Sequence, residues 1–200
     1  MARIAAEPIR RAAIVKATIL EIGRTGSLEV TVAQIAARAG MSSALAHHYF
    51  GSKEQIFVAA MRHVLTLFGA EVRGALAEAQ GARGRVEAVV HASFGPGSFR
   101  REVVAAWLNF YVLAQTEPEA RRLLQIYRQR LRSNLLHDLR ELVGGRAEAV
   151  AEGLGALIDG VYLRAALAPK GIANAAPDRT SAIRLVLDHL ARELALGETR

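Results

Sequence analysis

The sequence predicts an all-α protein of about nine helices. Three observations carry this. Ala, Leu and Arg, the strongest helix formers, dominate the composition, while aromatics reach only 6%. Capping signals recur: Thr31 with Gln34, Ser52 with Gln55 and Thr116 with Glu119 repeat the pattern that satisfies helix N-terminal N–H groups reciprocally. No run of Val, Ile and Thr alternates long enough to argue for a strand. Of the 200 residues 52% are apolar, enough to bury a full core.

The elements follow in order. Pro8 suits a first turn, and Val15, Ile19 and Ile22 recur at i, i+4, i+7 in a helix that Gly26 ends. A second helix starts at Thr31, stapled by Val30 and Ile35, and stops at Gly40. Ser42 opens a third over 42–50, closed by Gly51. Ser52 starts a long helix toward Gln80, with Ile56, Ala60, Val64, Leu67 and Leu76 near helical spacing. Helices are then expected at 85–94, 98–115, 117–143, 146–167 and 178–196. Gly95-Pro96-Gly97 reads as a turn and nothing more, Gly144-Gly145 as a break and 169–177 as a loop.

Net charge is +7, which favours polyanionic partners, although general Arg usage would produce the same balance. Arg3, Arg10 and Arg11 make the first residues a basic arm. Cysteine is absent, so disulfides and thiolate metal sites are excluded, which fits a reducing compartment. No secretory pattern opens the chain, and its longest uncharged stretch, 103–116, is too short to span a bilayer. The expectation is a soluble cytoplasmic protein with no membrane partner. No two of the six His stand at i, i+4, and no nucleophile elbow, P-loop or dinucleotide motif is present. No metal, no cofactor and no catalytic residue is therefore expected. An all-α enzyme would need converging carboxylates, and the acidic residues are scattered among Arg.

Helices two and three, joined at Gly40-Met41, have the dimensions of a helix-turn-helix, whose second helix enters a DNA major groove. Ile35, Ala36, Ala39 and Leu45 would pack inward. Ser42, Ser43, Ala44, His47 and His48 would face DNA, with Thr31, Tyr49 and Lys53 on phosphates. Spacing alone leaves a plain αα-hairpin equally open.

The stretch with Ile35-Ala36, Ala39-Gly40-Met41-Ser42, Tyr49-Phe50 and Lys53-Glu54 closely resembles the DNA-binding signature of the TetR family of regulators. Met41 replaces the usual Val, and Ala46 stands where a larger aliphatic residue is usual. Three later segments, 106–110, 130–135 and 156–167, are similar to the choline-sensing branch of that family, which represses glycine-betaine synthesis genes. The resemblance implies a DNA-binding domain over 1–54 and an effector-binding and dimerisation domain over 55–200. It implies operator DNA as partner, a homodimer through the last two helices, and a small effector, choline or a related quaternary amine. A regulator of efflux or lipid genes with another ligand is the alternative.

A quaternary ammonium needs aromatic faces and a carboxylate. Trp107, Phe110 and Tyr111 cluster on one expected helix, and Asp159 and Tyr162 share a face of another. A cage of Trp107, Tyr111 and Tyr162 with Asp159 as counter-charge is one reading; core packing is the other. For the dimer, Leu154, Leu157, Ile158, Val161 and Leu163 would meet Ile183, Leu185, Val186, Leu187 and Leu190, with Gly153, Gly155, Ala156 and Gly160 allowing close approach; completing the core of a single chain is the other reading.

Overall fold

The computed structural model describes residues 2–168 and 177–198. Among them are nine α-helices and no strand: α1 (Ala2–Thr25), α2 (Val32–Arg38), α3 (Ser43–Phe50), α4 (Lys53–Glu78), α5 (Gly81–Ser93), α6 (Arg101–Thr116), α7 (Pro118–Val143), α8 (Ala147–Leu167) and α9 (Arg179–Glu198). A 3-10 turn, Gly144–Arg146, replaces the expected break. The loop expected at 169–177 lies, Pro177 apart, outside the described residues.

Several helix starts differ from the expectation, each for a physical reason. α1 begins at Ala2, so Pro8 sits inside it and removes one backbone hydrogen bond there. α5 begins at Gly81, whose φ of +65° turns the chain out of α4. Ser98 does not open α6, because its hydroxyl donates to the Glu71 carboxylate at 2.6 Å. The Thr116 capping box does not form. The Thr116 hydroxyl turns back to the Leu113 carbonyl, and Glu119 accepts from Arg62 at 2.6 Å and Gln55 at 3.2 Å. Conversely, Asp178 caps α9, accepting the Ser181 N–H at 2.7 Å.

The chain forms two compact units: residues up to Leu65 with Arg101–Leu124, and Thr66–Arg100 with the residues from Gln125 onward. The expected boundary after residue 54 therefore does not coincide with the packing. The cause is α6, which lies along α1. Gly23 permits this approach: an alanine methyl there would lie 2.6 Å from the Glu102 Cα. Asn109 on α6 also donates to the Gly26 carbonyl, at 3.4 Å. Glu21, buried on α1, accepts from Arg38 of α2 and from Arg24 at 2.9 Å. The Arg38 guanidinium, chiefly, holds its carboxyl below the usual range against the opposing effect of burial.

In the second unit Val86, Val89, Leu135, Leu139, Leu154, Ile158, Val186 and Leu190 are buried, and Arg85 pairs with buried Asp138 at 2.9 Å. α4 is long and apolar enough by composition to cross a membrane. Its Ile56, Phe57, Val58, Ala60, Met61, Val64 and Val72 are core residues of the fold, which accounts for that composition.

Gly23→Ala is expected to destabilise the protein by about 1–2 kcal/mol net, because the clash with the Glu102 backbone, at the upper end of overpacking costs, outweighs the ~1 kcal/mol of helix propensity that Ala adds. Gly74→Ala, with no atom within 4 Å of the new methyl, is expected to stabilise by about 0.5–1 kcal/mol. Urea unfolding of the two variants should give opposite signs.

Candidate nucleic-acid interface and effector site

α2 and α3 are too short to persist alone, so their ends are fixed locally. Thr31 is extended (φ −85°, ψ 155°); its hydroxyl accepts the Gln34 N–H at 3.2 Å, and the Gln34 side chain accepts the Thr31 N–H at 2.8 Å. This is the expected reciprocal box. At the turn, Gly40 is left-handed (φ +68°) and the Met41 N–H reaches the Ala36 carbonyl at 2.9 Å. Ser42 (φ −80°, ψ 153°) accepts the Leu45 N–H at 3.2 Å, and Gly51 (φ +80°) ends α3.

Ser42, Ala44, His47 and His48 are exposed, while Ser43, Tyr49, Phe50 and Lys53 are half-buried and Thr31 is exposed. The inward residue of α3 is Ala46, fully buried, and not Leu45, which is half-buried. Ile35 and Ala36 are buried as expected, whereas Ala39 is half-buried.

α1 grips the end of α3. The Arg11 guanidinium donates to the Tyr49 carbonyl and lies 4.5 Å from the Phe50 ring centroid. A cation suits both an aromatic face and a helix C-terminus. Arg10 donates to the Tyr49 hydroxyl at 3.4 Å, and Lys53 lies 5.5 Å from the Phe57 ring centroid. Arg10 and Arg11 were legible in the sequence only as basic charge; no spacing links Arg11 to a partner 38 residues away. The Arg3 side chain lies outside the described residues. His47 Nδ1 is 3.1 Å from the Gly51 carbonyl oxygen. Glu54, beside Lys53, is held below the usual carboxylate range, first by its own backbone N–H and then by the Ser52 hydroxyl.

The expected cage divides between the two units. Trp107 and Phe110 are buried and Tyr111 half-buried on α6, in the first unit; the Trp107 ring is 5.9 Å from Phe110 and 5.8 Å from Tyr111. Asp159, half-buried, and Tyr162, buried, are on α8 in the second. Tyr162 stacks on Phe94 at 5.9 Å and meets the edge of Phe99 at 5.3 Å, and its hydroxyl donates to the Ser93 carbonyl at 2.6 Å. Burial, then the negative charges of Glu71 and Asp159, push that hydroxyl far above its ordinary range.

Glu71 is the residue the sequence reading missed. Its carboxylate accepts the Ser98 hydroxyl and rests in the Gly95-Pro96-Gly97 turn, where a methyl on Gly95 would lie 2.8 Å from one oxygen and a methyl on Gly97 closer to the other. The turn is thus a seat for a carboxylate as well as a break. Two aromatics flanking it, Phe94 and Phe99, were the available signal. In the same unit Arg179 donates to the Phe94 carbonyl at 2.7 Å.

Residues 14–60 match the model of bacterial regulatory proteins of the tetR family, and residues 82–195 that of the BetI-type transcriptional repressor C-terminal region. The chain is 46% identical over 196 residues, covering 98% of it and 96% of the relative, to the HTH-type transcriptional regulator BetI of Brucella suis biovar 1 (strain 1330). In structure it is similar to a transcriptional regulator from Pseudomonas aeruginosa PAO1, with TM-score 0.77 and 26% identity over 94% of this chain and 91% of that one. A regulator from Saccharomonospora viridis, solved in complex with choline, shares the fold with TM-score 0.77 and 24% identity over 90% and 95% of the two chains. The capped, outward-facing helix-turn-helix and the near full-length likeness agree: this chain is a DNA-binding transcriptional repressor, not an enzyme, and belongs to the TetR family with a BetI-type C-terminal region.

Proposed function

We propose that the protein, acting as a homodimer in the cytoplasm, represses osmoprotectant synthesis genes and leaves its operator when it binds choline or a related quaternary amine. The observation that carries the DNA reading is the exposed face of α3. Ser42, Ala44, His47 and His48 present hydroxyl, methyl and imidazole groups to a groove, with Ser43 at the margin. Thr31, Tyr49 and Lys53, with Arg3 from the basic arm, take phosphates. The Arg10 guanidinium at the Tyr49 hydroxyl joins this set. Lys53→Ala is expected to weaken binding to all duplexes and to reduce the slope of log affinity against log salt by about one. An unchanged slope in a salt titration would remove Lys53 from the phosphate set.

The effector reading rests on the BetI relatives, the choline complex of the Saccharomonospora viridis regulator, and the second unit's chemistry. Of the cage residues Trp107, Phe110, Tyr111, Asp159 and Tyr162, the proposal narrows to Tyr162 and Asp159. Glu71, Phe94 and Phe99 join them. Two carboxylates and three aromatic rings favour a cation over a neutral lipid. Titration calorimetry with choline chloride is expected to show binding that Glu71→Gln weakens at least about tenfold, since it removes a charge from the cation's contact. No heat at millimolar choline, or equal affinity in the variant, would count against the seat.

For the dimer, the apolar residues left exposed on α8 and α9 are the relevant ones: Leu163 (44% exposed), Leu167 (64%), Leu185 (46%) and Leu196 (62%). Leu154, Ile158, Val161, Ile183, Val186 and Leu190, expected from the sequence to meet a partner, are instead buried within the chain, since a helix has one face for its own core. Two recognition helices about 34–36 Å apart would read successive grooves. Leu163→Glu with Leu185→Glu is expected to give a helical monomer by light scattering, with operator affinity lost at nanomolar protein. A dimer of unchanged stability would move the interface elsewhere.

A further inference from the structure

Resting on the reading of α3 as the groove-facing helix, we infer that His47 in its neutral form reads a base carrying an exocyclic amine, adenine or cytosine, because a backbone carbonyl holds its Nδ1 and leaves Nε2 as the acceptor. His47 lies on the exposed face of α3, three residues after Ala44. Its Nδ1 is 3.1 Å from the Gly51 carbonyl oxygen. A carbonyl oxygen only accepts, so Nδ1 carries the proton. In the neutral imidazole the other nitrogen, Nε2, is then an acceptor.

The partner is fixed as well. Gly51 holds φ +80°, and its N–H returns to the His47 carbonyl at 2.7 Å. Residues 47 and 51 are thus joined by a backbone and a side-chain hydrogen bond in opposite directions. Turning Nδ1 toward DNA would give up this contact and leave the Gly51 carbonyl to solvent.

In the major groove, adenine N6 and cytosine N4 are the amino donors, whereas guanine N7 and O6 and thymine O4 are acceptors. An Nε2 acceptor matches the first pair and opposes the second. A histidine carrying its proton on Nε2 would select the reverse. Ala44, on the same face, adds a methyl group suited to a neighbouring thymine methyl. The inference goes beyond the assignment of His47 to DNA contact: it states the polarity of that contact and hence the bases excluded.

The test begins with selection of tight-binding duplexes from a randomised pool by the full-length protein. Each adenine or cytosine in the selected half-site is then replaced in turn by purine or 2-pyrimidinone, which lack only the amine. Binding is read by fluorescence anisotropy at fixed salt. One position is expected where amine deletion weakens the wild type about tenfold and His47→Ala by less than about twofold. His47→Arg, which only donates, is expected to shift selection there toward guanine. Circular dichroism and an unaltered urea-unfolding midpoint establish that the variants fold. Preference for guanine or thymine at the position His47→Ala frees, or equal losses in both proteins at every amine, would overturn the inference. If no amine deletion across the half-site weakens the wild type, it falls without any variant.

Discussion

The close approach of α1 to α6 is the constraint on which the DNA-reading unit depends. Gly23 has no side chain, and the Glu102 backbone fills the space. On its other side α1 holds both short helices. Glu21 takes Arg38 of α2, and Arg11 covers the Tyr49 carbonyl and the Phe50 ring at the end of α3. A helix of seven residues and one of eight do not persist in water without such capture. Their caps fix where they begin; α1 fixes how they lie. A buried, doubly paired Glu21 is well suited to this, because loss of either arginine leaves charge poorly compensated in a site shielded from water.

On the proposed reading, this arrangement also separates two kinds of DNA contact. The cations stand around α3, not on its outer face: Arg10 and Arg11 come from α1, and Lys53 from the start of α4. Phosphate attraction is blind to sequence and sets affinity through salt. The outer face of α3 offers hydroxyl, methyl and imidazole groups, whose value depends on the base opposite. A lysine or arginine at position 44 or 47 would bind guanine strongly but would also raise affinity for any duplex. Readers without lysine or arginine would let discrimination and affinity be set independently.

What the sequence revealed was local, and what it hid was distant. Thr31, Gly40, Ser42 and Gly51 act within four residues, and the structure places each in its expected role. The Thr116 box has the same local form as that at Thr31, yet Arg62, 57 residues away, takes Glu119 and the box does not close. Leu45, the larger apolar residue, is the expected inward position on α3, yet its neighbour Ala46 is the buried one. Glu71 drew no notice because it is one acid among several on a long helix. Its meaning comes from Ser98 and the glycine turn, 27 residues on. Trp107 and Asp159 looked alike as apolar-flanked candidates, and sequence spacing could not say that they belong to separate compact units.

The state of Glu71 bears on how an effector would act. Its carboxylate is already held by the Ser98 hydroxyl and wedged against a turn where no side chain fits. A cation arriving there would find the acceptor oriented and would owe little ordering entropy. Preorganisation raises affinity for whichever state contains it, but a ligand shifts an equilibrium only by its preference between states. On the proposed reading, release from DNA therefore cannot come from ordering Glu71. It requires that the operator-bound state hold this carboxylate less favourably for the cation. On the same reading, α4 is of interest because its residues include both Lys53, proposed for phosphate, and Glu71. Whatever preference the effector has between the two states, operator DNA must return it: the coupling between the two ligands is equal in both directions.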